Sequence, residues 1–275
     1  MIEIGITPNR QDCLGVFGIA RDLSAASLGK LIPKKIKNFE GDFKSPINIE
    51  IEDSDACPVF AGRYIKNVKN IESPKWLKNR LKSIGLKPIS ALVDITNFVM
   101  FDMNRPLHVY DADKINEKII VRSSQKGESF KALDDKEYHL ENDMCVIVDK
   151  VKVLGLGGIM GGYDTGCTFD TTNVFLESAL FNPVNTARTG RQLSILSDAR
   201  YRFERGVDPN SVQSGINLAS ELIIDICGGE LSKIITAGET PSSDKKISLN
   251  IDRLKKRLGI DTVSYTHLRA HETRI

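Results

Sequence analysis

Cysteine is sparse and scattered. Cys13, Cys57, Cys145, Cys167 and Cys227 are odd in number, widely spaced and never in a Cys-x-x-Cys pair. That excludes a disulfide framework and a cysteine-based zinc site, and fits reduced thiols in a cytosol. No apolar run approaches the roughly 20 residues of a membrane span. The opening Met1-Ile-Glu-Ile-Gly-Ile-Thr-Pro8 alternates like a strand and lacks the basic-then-apolar form of a signal peptide. A cytoplasmic protein with no membrane partner is therefore expected. An excess of one charge is also missing: Lys and Arg number 38 against 36 Asp and Glu, a formal +2. Any polyanion would have to be met by local patches. The glycine-rich run Gly155-Leu-Gly-Gly-Ile-Met-Gly-Gly162 has no Gly-Lys-Ser/Thr to hold a nucleotide phosphate. No Ser/His/Asp or Cys/His signature marks a covalent nucleophile. His267 and His271 stand four apart with no third ligand near, so no metal site is assigned.

What is present is an ordinary globular composition, 41% hydrophobic and 27% charged, in a chain of 275 residues that can bury a substantial core. Asp12 is expected to cap a helix running to about Ala26. A looser stretch from Pro33 to Pro46 follows and reads as a linker. Two strands are expected at Ile47-Asn-Ile-Glu-Ile and Phe60-Ala-Gly-Arg-Tyr-Ile. Ser73-Pro74 opens a basic helix through Lys82, with Trp76, Leu77 and Leu81 as its apolar stripe; its lysine face is a solvated surface by default and an RNA contact as the sharper alternative. Leu92 to Met103 reads as a buried helix interrupted by Asp94 and Asn97. From Lys118 to Leu154 short apolar runs alternate with turns, a strand-and-hairpin pattern. The glycine-rich run then makes a tight connection between strands, with its backbone against packing or ligand. Val212, Ile216, Ala219, Ile223 and Ile226 repeat at helical steps before Gly228-Gly229. Strands mixed with helices, without regular βαβ alternation, indicate an α+β fold. Pro241 to Lys246 is a second linker, and Ile247 to Gly259 reads as a strand and helix opening another domain.

The densest stretch is Ser194 to Pro209. Ser197 and Asp198 suit the start of a short helix, Gly206 its left-handed end, and Asp208-Pro209 the opening of the next. Arg188, Arg191, Arg200, Arg202 and Arg205 surround this corner. Arginine forks suit carboxylates and phosphates, yet on charge alone a solvated face pinned by Asp198 and Glu204 is the preferred reading. Glu177 sits inside the apolar strand Val174-Phe-Leu-Glu-Ser-Ala-Leu180, where an unpaired carboxylate is costly; the plain expectation is an ion pair with a nearby arginine. His108, between Leu107 and Val109, is by default a packing histidine.

Several runs together resemble one family, the β subunit of bacterial phenylalanyl-tRNA synthetase. They are Ile6-Thr-Pro-Asn-Arg-Gln-Asp-Cys-Leu14, Val93-Asp-Ile-Thr-Asn-Phe98, Pro106-Leu-His-Val-Tyr-Asp111, Gly157-Gly-Ile-Met-Gly-Gly162, Phe175-Leu-Glu-Ser178 and Tyr201-Arg-Phe-Glu-Arg-Gly-Val-Asp-Pro209. The likeness covers about residues 1 to 260. It implies layered mixed sheets with packed helices, in which residues 45–240 form a module that hydrolyses tyrosine wrongly joined to tRNA(Phe). Residues 1–44 would precede the module, 241–263 would start the next domain, and 264–275 resemble nothing in the family. Carried over, Glu177 reads the tyrosine hydroxyl beside the Gly161 backbone, and His108 is the pocket histidine. Ser197 stands where the family often has threonine, Ala199 controls pocket size, and Lys87 stands where arginine is frequent. His108 and Ser197 are thus the expected catalytic groups, with Glu177, Gly161, Ala199 and Lys87 holding substrate. The family's β subunit is longer at both ends, so a fragment is expected. The fragment needs no cofactor of its own, while ATP and Mg²⁺ serve the α/β holoenzyme. The implied partners are tRNA(Phe) and the α subunit in an α2β2 assembly. A non-catalytic module binding tRNA or the α subunit, and a stand-alone deacylase acting in trans, are the alternatives.

Overall fold

A computed structural model describes residues 3–241, 246 and 248–259. They divide into two compact units, residues 3–19 with 34–240, and residues 20–33 with those described beyond 240. The large unit holds strands β1 (Asn48–Ile51), β2 (Val59–Lys66), β3 (His108–Asp111), β4 (Lys118–Ser123), β5 (Ser129–Lys131), β6 (Glu137–His139), β7 (Cys145–Val148), β8 (Val153–Leu156), β9 (Met160–Gly161), β10 (Val174–Leu180), β11 (Glu230–Leu231) and β12 (Ile235–Gly238). Helix α1 (Val16–Ala25) begins in this unit, which also holds α2 (Lys75–Ser83), α3 (Ala91–Met103), α4 (Pro183–Gln192), α5 (Asp198–Phe203) and α6 (Ser211–Cys227). Helix α7 (Ile251–Leu258) belongs to the small unit.

Two five-stranded sheets and the two-stranded β5–β6 sheet build the large unit. One runs β1-β4-β7-β8-β9, parallel only between β1 and β4; the other runs β11-β2-β10-β3, with β12 also pairing β2. Alternation along β10 shows how the layers arise, because successive side chains of a strand point to opposite faces. Val174 and Leu176 enter a core shared with α2, α3 and α6, while Phe175 and Ala179 enter a core between the two sheets with Ile119, Val121, Ile147 and Leu154. A third cluster beneath the β5–β6 hairpin includes Phe130, Val146, Val148 and Ile159. The order is helices, sheet, sheet, hairpin, an α+β layering.

Several local expectations are revised. Residues 3–7 form no strand; they find no neighbouring strand to pair with, and a lone strand leaves its backbone groups unsatisfied. Asp12 caps no long helix. It lies in a 3-10 turn over Gln11–Cys13 with its carboxylate on Arg10 at 3.0 Å, and α1 starts at Val16. Pro209 does not sit in the first turn of the next helix. Asp208 instead folds an Asx turn onto the Asn210 amide, its carbonyl accepts from Arg105 and Ser211, and α6 begins at Ser211. Residues 248–250 are not a strand, since Asn250 caps α7 by accepting from the Arg253 amide at 2.9 Å. Ile247, His267, His271 and the 264–275 tail lie outside the described residues. Residues 36–39, read as linker, are held to the core: Arg63 donates to the Phe39 carbonyl at 2.5 Å and Asn217 to Asn38 at 3.1 Å.

Candidate functional site

The register of β10 against β3 places Glu177 directly opposite His108 and Phe175 opposite Tyr110. His108, Tyr110 and Glu177 all point into the space between the sheets, as their positions in the strand period require. Tyr110 donates its hydroxyl to Glu177 Oε2 at 2.5 Å, and its ring meets the His108 ring edge-on at 4.3 Å. Glu177 therefore finds its partner on the neighbouring strand, and the expected arginine pair is not formed. Burial pushes the Glu177 carboxyl up to about 7, partly offset by the Tyr110 bond. Burial alone pushes His108 down to about 4, so its ring is neutral near pH 7. Tyr110 is pushed well up, by burial first and then by Glu177. His108 Nε2 is buried without a hydrogen-bond partner, a costly state unless a ligand or water meets it.

A cavity of about 380 Å³ opens in front of these groups. Its floor is Glu177, Tyr110 and His108; its far wall is Ile147, Gly155, Leu156 and the glycine-rich turn through Gly161. Thr96, Asn97 and Met100 of α3 close one side, and Ser197 to Ala199 with Phe203 of α5 close another. The volume falls in the range of small-molecule pockets, and the mix is the usual one of apolar walls with few convergent polar groups.

The glycines have a physical reason. A Cβ on Gly161 would lie 2.3 Å from His108 Cε1 and 2.5 Å from its Nε2, so only glycine lets the imidazole rest on that backbone. Gly158 has φ +71, and a Cβ there would lie 2.9 Å from the Phe181 ring. Ser197 caps α5 by accepting from the Arg200 amide at 3.1 Å, and donates its own hydroxyl to the Ile159 carbonyl at 2.7 Å. Its proton is thereby committed, and the residue ties the helix start to the glycine-rich turn.

Five of the six candidate residues, His108, Gly161, Glu177, Ser197 and Ala199, line this one cavity. Lys87 does not; it is exposed in the loop joining α2 to α3. Sequence reasoning missed Tyr110, whose bond to Glu177 needs the strand register to be seen, and it left Thr96, Asn97 and Met160 without a role. Asn97 had given a signal, as a carboxamide interrupting a buried helix, and it borders the cavity without a hydrogen-bond partner among the described residues. A family model described as the B3/4 domain matches residues 56–228, which include all six candidates.

The chain belongs to the B3/4 domain family.

Curated relatives of this B3/4 domain chain share a name. It is 54% identical over 265 residues to the phenylalanine–tRNA ligase β subunit of Paramagnetospirillum magneticum, covering 95% of this chain and 33% of that one. It is 49% identical over 269 residues to the protein of the same name from Rhodopseudomonas palustris, covering 98% and 33%. The chain thus spans about a third of the length of the curated relatives it matches. A crystallised N-terminal fragment of the phenylalanyl-tRNA synthetase β-subunit from Pyrococcus horikoshii aligns over 94% of this chain and 71% of that one, at 16% identity and a TM-score of 0.48. The last likeness is too loose to argue from. The resemblance drawn from the motifs is supported by the first two, and the B3/4 domain contains the cavity.

Proposed function

We propose that the cavity is a hydrolytic site for tyrosine esterified to tRNA(Phe), within a phenylalanine–tRNA ligase β subunit that works with an α subunit in the cytoplasm. The observation that carries this reading is the buried carboxyl of Glu177, held at Oε2 by Tyr110 and lining the cavity. A pocket that only fits a phenyl ring discriminates weakly against an added hydroxyl, by roughly 10²-fold. A pocket with a buried polar group that demands a partner rejects the ligand lacking it far more strongly, by roughly 10⁴-fold or more. A tyrosyl group satisfies Glu177 and a phenylalanyl group leaves it bare.

The residues divide the work as follows. Glu177 and the backbone at Gly161 read the phenol hydroxyl, Ala199 leaves room for the ring, and Ser197 fixes the turn that carries Gly161. Neutral His108, with Nε2 unpartnered, orients a water or a polar atom of the ester. No strong base is required: a water held against the ester carbonyl gains chiefly from orientation and from fixed dipoles. Lys87, outside the cavity, is assigned to the surface rather than to the ester. The chain binds no cofactor for this step; ATP and Mg²⁺ serve the aminoacylation that the complete holoenzyme performs.

The test compares hydrolysis of tyrosyl- and phenylalanyl-tRNA(Phe) by wild type, Glu177→Ala and Tyr110→Phe. Wild type removes tyrosine selectively, Glu177→Ala loses the preference, and Tyr110→Phe weakens it about tenfold by freeing the carboxyl to turn. Binding of both tRNAs without loss of either ester would overturn the hydrolytic reading in favour of a binding module. An unchanged preference in Glu177→Ala would remove that residue from its role.

A further inference from the structure

We infer that the outward face of α2 is a landing surface for single-stranded RNA, with phosphates on Lys75, Arg80 and Lys82 and a base stacked on Trp76. The helix Lys75-Trp-Leu-Lys-Asn-Arg-Leu-Lys-Ser83 carries four cations and no acid. Leu77 and Leu81 are buried, one turn apart, and anchor it to the core. The opposite side is consequently all cation and amide: Lys75, Asn79 and Lys82 recur at helical steps and are exposed. Lys78 is paired with Glu72 at 2.6 Å, whereas Lys75, Arg80 and Lys82 have no acidic partner among the described residues. Lys75 and Lys82 share the outward face and Arg80 flanks it beside Trp76, and unpaired cations gathered in this way are the footprint of a polyanion.

Charge alone would fit any acidic partner, and the aromatic group narrows the choice. Trp76 is 42% exposed although it belongs to the most costly side-chain type to leave in water. Its ring stands edge-on to Phe98 at 5.6 Å, and the Arg80 guanidinium lies 5.5 Å from both ring centres. A rigid exposed indole beside a guanidinium, within a row of free lysines, is how single strands are held without sequence readout. A duplex hides its base faces and has no use for the indole. Position agrees as well. Phe98 touches Trp76 while Thr96 and Asn97, on the same helix, line the cavity. The surface and the cavity are thus borne by the neighbouring helices α2 and α3. Lys87, which the cavity does not use, continues the same basic stretch into the following loop.

The inference rests on the reading of the cavity as an aminoacyl-RNA site only in choosing RNA as the partner, and its test carries no ester. The whole 275-residue chain is titrated by fluorescence anisotropy with a labelled single-stranded RNA of about 12 nucleotides bearing no esterified amino acid, at about 50 to 200 mM salt. The triple variant Lys75→Gln/Arg80→Gln/Lys82→Gln, exposed throughout and expected to melt as wild type does, should lower affinity more than tenfold and flatten the slope of log affinity against log salt by about 2. Trp76→Ala should lose about tenfold, and Trp76→Phe should recover most of it. Lys150→Gln, at an exposed lysine outside both the cavity and α2, should bind this RNA as wild type does. Unchanged affinity and salt slope in the triple variant would overturn the proposal. So would displacement of the RNA by poly-L-glutamate as readily as by unlabelled RNA of equal charge, which marks the face as a dock for an acidic protein.

Discussion

Two stretches of this chain look alike in composition and differ in what their charges do. The α4–α5 corner carries Arg188, Arg191, Arg200, Arg202 and Arg205, and helix α2 carries Lys75, Lys78, Arg80 and Lys82. At the corner three of the five charges are spent within the fold, while Arg188 and Arg191 are exposed and have no carboxylate partner among the described residues. Arg200 bonds Glu204 at 3.0 Å and the Ile195 carbonyl at 2.5 Å; Arg202 bonds the Asp198 and Leu14 carbonyls and lies 4.3 Å over the Phe101 ring. Arg205 bonds Glu204 at 2.8 Å and covers Tyr201. On α2 three of four cations face water without a carboxylate. A count of basic residues cannot separate the two cases. The spacing of acids can: Asp198 and Glu204 stand four residues from Arg202 and Arg200, the separation at which helix side chains meet, and α2 has no acid within it.

The largest effect that would sharpen this contrast is on stability. Arg200→Ala leaves the Ile195 carbonyl and Glu204 without their buried partner, and should cost about 3 kcal/mol in urea unfolding. Arg80→Ala should fall within about 0.5 kcal/mol of wild type. Equal losses at both positions would erase the distinction between a structural and a free cation.

A second measurement uses the buried acid and base of the cavity, whose pH signatures are opposed. Glu177 sits at about 7 when folded, above its ordinary value, so its protonated form is favoured in the fold and its contribution to stability falls as pH rises from about 4.5 to 7. His108 sits at about 4, below its ordinary value, so it must lose a proton on folding, and its contribution rises from about pH 4 to 6.5. In wild type the two slopes oppose one another. Glu177→Gln should expose the rising one and His108→Gln the falling one, each by about 3 kcal/mol across its window at about 1.36 kcal/mol per pH unit. Melts of both variants from pH 4 to 8 that run parallel to wild type would show that neither group is buried as described.

The smallest effect belongs to Lys87. Its exposure outside the cavity predicts that Lys87→Ala leaves the ratio of tyrosyl to phenylalanyl ester hydrolysis unchanged and stability within about 0.5 kcal/mol. A collapsed ratio would return Lys87 to the cavity and weaken the case that free cations lie on the α2 side.

Much of the fold was legible because its signals are local. The three-and-four spacing of α6, the buried run of α3 and the alternation in β10 each follow from a single period. The Ser197 cap follows from hydroxyl chemistry at a helix start. What stayed hidden depends on partners distant in the chain. Tyr110 meets Glu177 only through antiparallel register 67 residues apart, and the start of α6 is set by Arg105, 103 residues from Asp208, capturing the Asp208 carbonyl. Trp76, counted with the apolar stripe, is turned outward because Leu77 and Leu81 alone fill the inward side. In the cavity, the residue types were readable and the hydrogen bonds that assign them were not.

The two sheets are interleaved along the chain. β1 pairs with β4 only after β2, α2, α3 and β3 have been threaded between them, and β10 returns to β2 and β3 after the first sheet is complete. Neither sheet can be cut out as a contiguous segment, and the Glu177 floor and the glycine-rich wall of the cavity come from different sheets. The wall is a local meander of β7, β8 and β9, whereas the floor pairs β10 with β2 and β3 from far along the chain, so the cavity closes only once those distant strands have met. A ligand spanning floor and wall would join the two sheets and raise the barrier to their separation, making this cavity a kinetic clasp on the whole domain.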